Sequence, residues 1–225
     1  MKKNILVVVG HSDDETLGAG GTLKKHSLEG DNVGVISMTN GVGARGKATS
    51  KEIDQRVEAA KKAGSFLGFN WLAKYDFEDN SLDTYPILEI VKSIEKVKNE
   101  FMPQIVYTHS RSDLNVDHSI VAKAVLTAFR PQPSESCKEI RLFEVPSATD
   151  YGHENITGVF RPNLFIDISS TWDDKEEALK AYGTEMREYP HSRSIEAVKN
   201  LGKLRGNQVG LSIAEAFQVI RKIIH

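Results

Sequence analysis

The feature that most constrains this chain is the run Ile5-Leu6-Val7-Val8-Val9, which ends abruptly in Gly10-His11-Ser12-Asp13-Asp14-Glu15. An aliphatic run without polar alternation suits a strand buried on both faces, the usual setting of a parallel sheet. Such a strand needs helices above and below it. The polar residues that follow it then leave the carboxyl end of a central strand.

The rest of the first half keeps that rhythm. Residues 32–38, 70–75 and 104–108 read as further strands. Residues 17–28, 51–66, 85–100 and 119–129 carry helical spacing, as with Ile87, Ile90, Val91, Ile94 and Val97 on one face. Strands alternating with helices predict a mostly parallel sheet with right-handed crossovers and helices on both faces, a Rossmann-like α/β fold. After Pro131 the pattern loosens. Residues 141–145 and 163–168 read as strands, and 171–187, 192–203 and 212–223 as helices. The expectation is one domain over residues 1–225, with a core at 1–130 and a C-terminal α/β elaboration at 131–225.

Charge and composition exclude several function classes. Twenty-nine basic against 31 acidic residues give a formal net charge of -2, which does not favour a sequence-independent nucleic-acid binder. The single cysteine, Cys137, cannot form an internal disulfide, as expected of a reducing, cytoplasmic setting. The first apolar run is too short for the core of a secretion signal. No stretch approaches the roughly 20 apolar residues of a membrane span, so no membrane insertion is expected.

Two polar clusters carry the chemistry. His11, Asp13, Asp14 and Glu15 follow the first strand; His109, Asp113, Asn115, Asp117 and His118 follow the fourth. In a doubly wound sheet of order 3-2-1-4-5, strands one and four are neighbours at the switch point, and ligands bind outside their carboxyl ends. The topology therefore predicts that the clusters meet. Crowded carboxylates repel unless a cation neutralises them, and histidine with aspartate makes a zinc-type ligand set. A catalytic site of three protein ligands and one open position would use His11, Asp14 and His118. Asp13 is then left free to act on water. Asp113 and Asp117 are expected to orient His118 or to contact substrate hydroxyls. The competing reading makes the histidines and acids caps and satisfied loop residues.

Weaker signals read more plainly. Gly18, Gly20 and Gly21 have neither dinucleotide nor P-loop spacing and are expected to pack a helix closely on the sheet. Residues 41–46, with Arg45, read as a loop, with a substrate lid as the alternative. The acidic run Asp173 to Glu177 suits a first helical turn. Arg193, in a turn after Pro190, can bind a polar or anionic part of a substrate. Trp71 and Trp172 read as packing residues, and His26, His153 and His225 as structural or solvated.

The motif His11-Ser12-Asp13-Asp14-Glu15, together with Asp117-His118, resembles the metal motifs of the PIG-L/LmbE-like N-acetylglucosaminyl deacetylases. The resemblance continues through Arg56 and Glu58, Leu67-Gly68, Arg161-Pro162-Asn163, Asp167-Ile168-Ser169, residues 177–182 and Ala214-Glu215-Ala216-Phe217. It implies one zinc ion, or another divalent ion in its place, on His11, Asp14 and His118. It implies Asp13 as general base and Arg56 near the substrate. The reaction implied is release of acetate from a small N-acetyl sugar or sugar conjugate. Self-association is common in that family and is left open here. Two positions depart from its pattern. Ser12 replaces a usual proline or alanine. Asn115 stands where many members carry a histidine that helps hold the developing oxyanion, which leaves Asn115, His109 or Arg111 for that task. The alternatives kept are a metal-dependent hydrolase of another amide or ester, and a non-catalytic nucleotide- or sugar-binding module.

Overall fold

The computed structural model describes residues 2–44, 46 and 49–224. The expected rhythm is present: β1 Asn4–Val9, α1 Asp14–Leu28, β2 Asn32–Thr39, α2 Ser50–Leu67, β3 Asn70–Phe77, α3 Ile87–Phe101, β4 Ile105–His109 and α4 Val116–Ala128. The second half adds β5 Glu139–Phe143, the short α5 Glu154–Thr157, β6 Leu164–Asp167, α6 Trp172–Ala181, α7 Ile195–Asn207 and β7 Ala214–Lys222. The strands form one sheet of order β3-β2-β1-β4-β5-β7-β6. From β3 to β5 neighbouring strands run parallel, whereas β7 lies antiparallel between β5 and β6.

β1 is the axis of the core. Ile5, Val7 and Val9 face α1, α2, α6 and α7, packing with Leu17, Ala60, Ala178 and Val198. Leu6 and Val8 face α3 and α4, packing with Ile90, Ile94, Val121 and Val125. All five aliphatic residues of the strand are fully buried, as the unalternating run requires. No helix among the described residues is long and apolar enough to cross a membrane.

The glycines of α1 are there for close approach. A Cβ on Gly18 would lie 2.3 Å from the Phe143 ring, and one on Gly21 would lie 2.8 Å from Ile168. The helix therefore sits directly on β5 and on the turn after β6. Arg45, in the Gly-rich loop after β2, and His225 lie outside the described residues; within that loop Gly43 and Ala44 donate their amides to Asp79 Oδ2 at 3.0 and 3.2 Å.

Two C-terminal expectations are corrected. Residues 212–223 are not helical; Ala214–Lys222 is strand β7. Alanine and glutamate favour helix, but propensity is a weak prior that pairing overrides. Here Glu215 accepts the Gly21 and Thr22 amides of α1 at 2.9 and 2.7 Å and the Lys175 ammonium of α6 at 2.6 Å. Lys175 also donates to the Leu17 carbonyl at 2.9 Å. This satisfied, buried pair ties β7, α1 and α6 together. The helix expected over 171–187 stops at Ala181, and residues 182–194 form a loop that returns to the site.

Candidate active site

Strands β1 and β4 pair from Ile5↔Ile105 to Val8↔Thr108, so both polar clusters emerge side by side. Gly10 makes the junction possible. A Cβ there would meet the His118 ring at 3.3 Å, while its amide donates to His109 Nε2 at 2.8 Å and its carbonyl accepts from Thr39 at 3.0 Å. The chain then turns directly into α1, with Asp14 and Glu15 in its first turn, where the helix dipole favours acids.

Three ligand atoms converge. His11 Nδ1 lies 3.2 Å from Asp14 Oδ2 and 3.2 Å from His118 Nε2, and His118 Nε2 lies 3.3 Å from Asp14 Oδ2. Tetrahedral zinc at its usual bond lengths spaces its ligands about 3.3–3.4 Å apart, so the triangle fits. The outer ring nitrogens strengthen this reading. His118 Nδ1 lies 2.8 Å from Asp113 Oδ2, and His11 Nε2 lies 3.1 Å from Asp79 and 3.2 Å from Asp117. With those outer nitrogens donating to carboxylates, two neutral rings would aim lone pairs at each other and at Asp14. That arrangement holds only around a cation, either protons or a metal ion. Asp14 Oδ1 is buried without a hydrogen-bond partner among the described residues.

The titration behaviour follows the same geometry. Burial opposes charge on His118, but Asp14 and Asp113 outweigh it and raise the ring to about 9. Burial likewise opposes charge on His11, and the hydrogen bonds to Asp117, Asp14 and Asp79 hold it well above its ordinary value. Burial would raise Asp14, yet the neighbouring His118 and His109 hold it well below the usual carboxylate range. His109 is driven the other way, by burial and then by His118, and stays neutral.

Asp13 stands beside this triangle. Its Oδ2 lies 3.4 Å from Arg56 Nη1 on one side and 3.4 Å from Arg193 Nη1 on the other. Arg56 is buried and committed: it donates to the carbonyls of Ser12 and Gly41 at 2.8 Å each and pairs with Glu185 at 3.0 Å. Glu15 supports Asp13 from below, accepting its amide at 3.0 Å and the hydroxyls of Thr16 and Tyr182 at 2.7 and 2.8 Å. Burial pushes the Glu15 carboxyl up to about 7.

His11, Asp13, Asp14, His118, Arg56 and Arg193 are thus brought together as the sequence suggested. Of the two roles expected for Asp113 the structure shows the orienting one: one oxygen serves His118, and the other accepts the Thr149 hydroxyl, which leaves this buried carboxylate away from substrate. Asp117 serves His11 rather than His118, and is itself held by the amides of Asn80 and Leu82 at 2.7 and 3.0 Å. Asn115 caps α4, its Oδ1 accepting the Asp117 amide at 2.9 Å. His109 stacks behind His118 at 3.8 Å with its Nε2 taken by Gly10, and Arg111 is exposed. Sequence reasoning missed Asp79, Glu185 and the Glu15–Tyr182 contact. Asp79 had a signal, since it follows the carboxyl end of β3, on the same edge of the sheet. Glu185 and Tyr182 lay inside a stretch read as helix.

Residues 6–129 match the PIG-L family, described as GlcNAc-PI de-N-acetylase, and the chain belongs to that family. A probable N-acetyl-α-D-glucosaminyl L-malate deacetylase from Bacillus cereus is 26% identical over 81% of this chain and 83% of its own length. A 4-oxalmesaconate hydratase from Pseudomonas putida is 25% identical over 89% and 83%. The fold matches that of N,N'-diacetylchitobiose deacetylase from Pyrococcus horikoshii with a TM-score of 0.75 at 21% identity, covering 97% and 84% of the two chains. The family is therefore one of deacetylases on sugar conjugates that also has a hydratase among its relatives.

Proposed function

We propose that this protein is a metal-dependent deacetylase that hydrolyses the acetamide of an N-acetyl sugar or sugar conjugate, giving acetate and a free amine. The observation that carries the reading is the triangle of His11 Nδ1, Asp14 Oδ2 and His118 Nε2, with the Asp13 carboxylate, flanked by Arg56 and Arg193, beside it. A divalent ion bound there, with zinc as the leading candidate, would supply Lewis acidity toward the amide carbonyl and an acidified water.

The chain's own residues supply the rest. Asp13 is positioned to accept a proton from the attacking water and to return it to the nitrogen of the departing amine. Arg56 and the Glu15 contact fix the Asp13 backbone and carboxylate on their inner side. Asp113 and the Asp79–Asp117 pair hold the two imidazoles in the tautomers that aim Nε2 of His118 and Nδ1 of His11 inward. The buried, lone Cys137 suits a reducing compartment, and the reading keeps the cytosol as the setting.

The test is acetate release from N-acetyl sugars by metal-loaded protein, beside Asp13→Asn. The variant should keep its metal and lose about 10²–10⁴-fold in kcat. Undiminished turnover in Asp13→Asn would remove Asp13 from the mechanism. A second reading, addition of water across a carbon–carbon double bond, is favoured by the hydratase relative. It predicts a hydrated product and no acetate.

A further inference from the structure

Asn40-Gly41 is the single Asn-Gly pair in the chain, and it follows the carboxyl end of β2, beside the site. Thr39, one residue before it, is fixed: its amide and its hydroxyl both donate to the Gly10 carbonyl at 3.0 Å. Gly41 is fixed as well. Its carbonyl accepts Arg56 Nη2 at 2.8 Å, and a Cβ on it would lie 3.6 Å from His11 Cβ and 3.7 Å from the Arg56 guanidinium. Its φ of 71° lies in the left-handed region that glycine adopts freely. The pair is therefore a short bridge between β2 and the buried arginine that flanks Asp13.

The local geometry favours attack of the backbone on the Asn40 side chain. Asn40 is half-buried, and its Oδ1 accepts the Val42 amide at 3.2 Å, the Asx turn that asparagine commonly makes. The ring closed by this hydrogen bond contains both Asn40 Cγ and the Gly41 nitrogen and keeps them near each other. The same bond draws electron density from Cγ and stabilises negative charge developing on Oδ1, as an oxyanion donor does. Asn40 Nδ2 donates to Asp76 Oδ1 at 3.1 Å at the surface, so the leaving nitrogen is open to solvent. Among the described residues no acceptor holds the Gly41 amide, and glycine has no side chain to crowd it.

We infer that Asn40 is a site of spontaneous deamidation, and that its conversion releases Arg56 and with it one support of Asp13. The Gly41 nitrogen gives its proton to water or hydroxide and bonds to Asn40 Cγ. The Cγ–Nδ2 bond breaks, and ammonia leaves with a proton taken from solvent. The cyclic imide then takes up one water, and opening at one carbonyl or the other gives aspartate or isoaspartate. Isoaspartate routes the main chain through Cβ and lengthens it by one methylene. With Thr39 held by Gly10, the added length displaces the Gly41 carbonyl from Arg56. Either product also puts a carboxylate beside Asp76 where a donor stood, and like charges this close repel. Arg56 then keeps Ser12 and Glu185 but loses its link to β2. The modification does not depend on which bond the enzyme hydrolyses.

The test ages the purified protein in warm, mildly alkaline buffer, beside the urea-unfolded chain and beside Asn40→Ser. Serine keeps a hydroxyl that can accept the Val42 amide and has no amide to lose. Peptide mass spectrometry should find the amide-to-acid mass gain at Asn40 of the folded protein, as a mixture of aspartate and isoaspartate, at a rate within about tenfold of that in urea. An Asn40 that stays intact in the folded protein while the unfolded chain converts would overturn the inference. The converted form carries one more negative charge and separates by ion exchange. Phenylglyoxal, which modifies accessible guanidinium groups, should then label Arg56 at least about tenfold faster in the converted form than in fresh protein or in aged Asn40→Ser. Equal labelling of Arg56 in all three would refute its release. Neither readout uses acetate, so failure of the deacetylase reading is seen separately, as an absence of acetate release by fresh, metal-loaded protein.

Discussion

Replacing Glu15 by glutamine should reverse the effect of pH on the relative stability of two nearly identical proteins. Glu15 is fully buried, and burial lifts its carboxyl from 4.5 to about 7 in the folded chain. A group whose value is raised by folding stabilises the fold below its unfolded value, and that contribution fades as pH rises through the folded value. The gap corresponds to about 3 kcal/mol, present near pH 4 and lost by pH 8–9. Glutamine cannot ionise, so it escapes this loss. It can accept the Asp13 amide and donate toward the Thr16 and Tyr182 hydroxyls, but those hydroxyls then lose their acceptor, at about 1 kcal/mol. Glu15→Gln should therefore be the less stable protein at pH 4.5 and the more stable one at pH 9, by about 2 kcal/mol. The curves should cross between about pH 5 and 6. Urea unfolding of metal-free protein at half-unit pH steps measures this directly, and taking the difference between the two proteins cancels every other titrating group. Parallel curves would show that Glu15 does not carry a buried, ionisable load.

Other substitutions probe the remaining supports. Asp113→Asn should weaken metal affinity about 10–100-fold through loss of the His118 acceptor; unchanged affinity in a chelator competition would mean that Asp113 does not orient the ring. Gly18→Ala drives a methyl into the Phe143 ring and should cost about 1–3 kcal/mol by denaturant midpoint, with a neutral result pointing to slack between α1 and β5. Asn115→Ala should cost about 1 kcal/mol of stability as a lost cap while leaving metal stoichiometry intact, and loss of metal would place Asn115 in the site after all.

The positions of His11, Asp14 and His118 were legible because they depend on topology alone. Once β1 and β4 are recognised as buried parallel strands, their carboxyl ends must lie together, whatever the side chains in between. The metal motif and the resemblance it carries point to the same residues. The second layer was harder to read. Asp113 and Asp117 are four residues apart on either side of a helix start, and only their rotamers decide which imidazole each serves. Asn115 offers an oxygen for a cap and an amide for an oxyanion, and the sequence does not mark which is used; in the structure its oxygen caps α4. The C-terminal part was least legible. Ala214-Glu215-Ala216 has helical propensity, but the sheet needed a strand between β5 and β6, and Glu215 needed to meet α1. The loop after Ala181 carries Tyr182, Glu185 and Arg193 to the site, and no local periodicity marks where a helix yields to such a loop.

The central claim is that the strand-one and strand-four clusters form one metal centre. The most direct measurement is calorimetric titration of metal-free protein with zinc, wild type beside His118→Ala, with folding of both verified by circular dichroism. The account predicts one tight equivalent in wild type, with affinity rising as pH increases because the two histidines must release protons, and no comparable binding in the variant. Equal zinc binding by the two proteins, or none by either, would contradict the convergence of His11, Asp14 and His118 on a single ion.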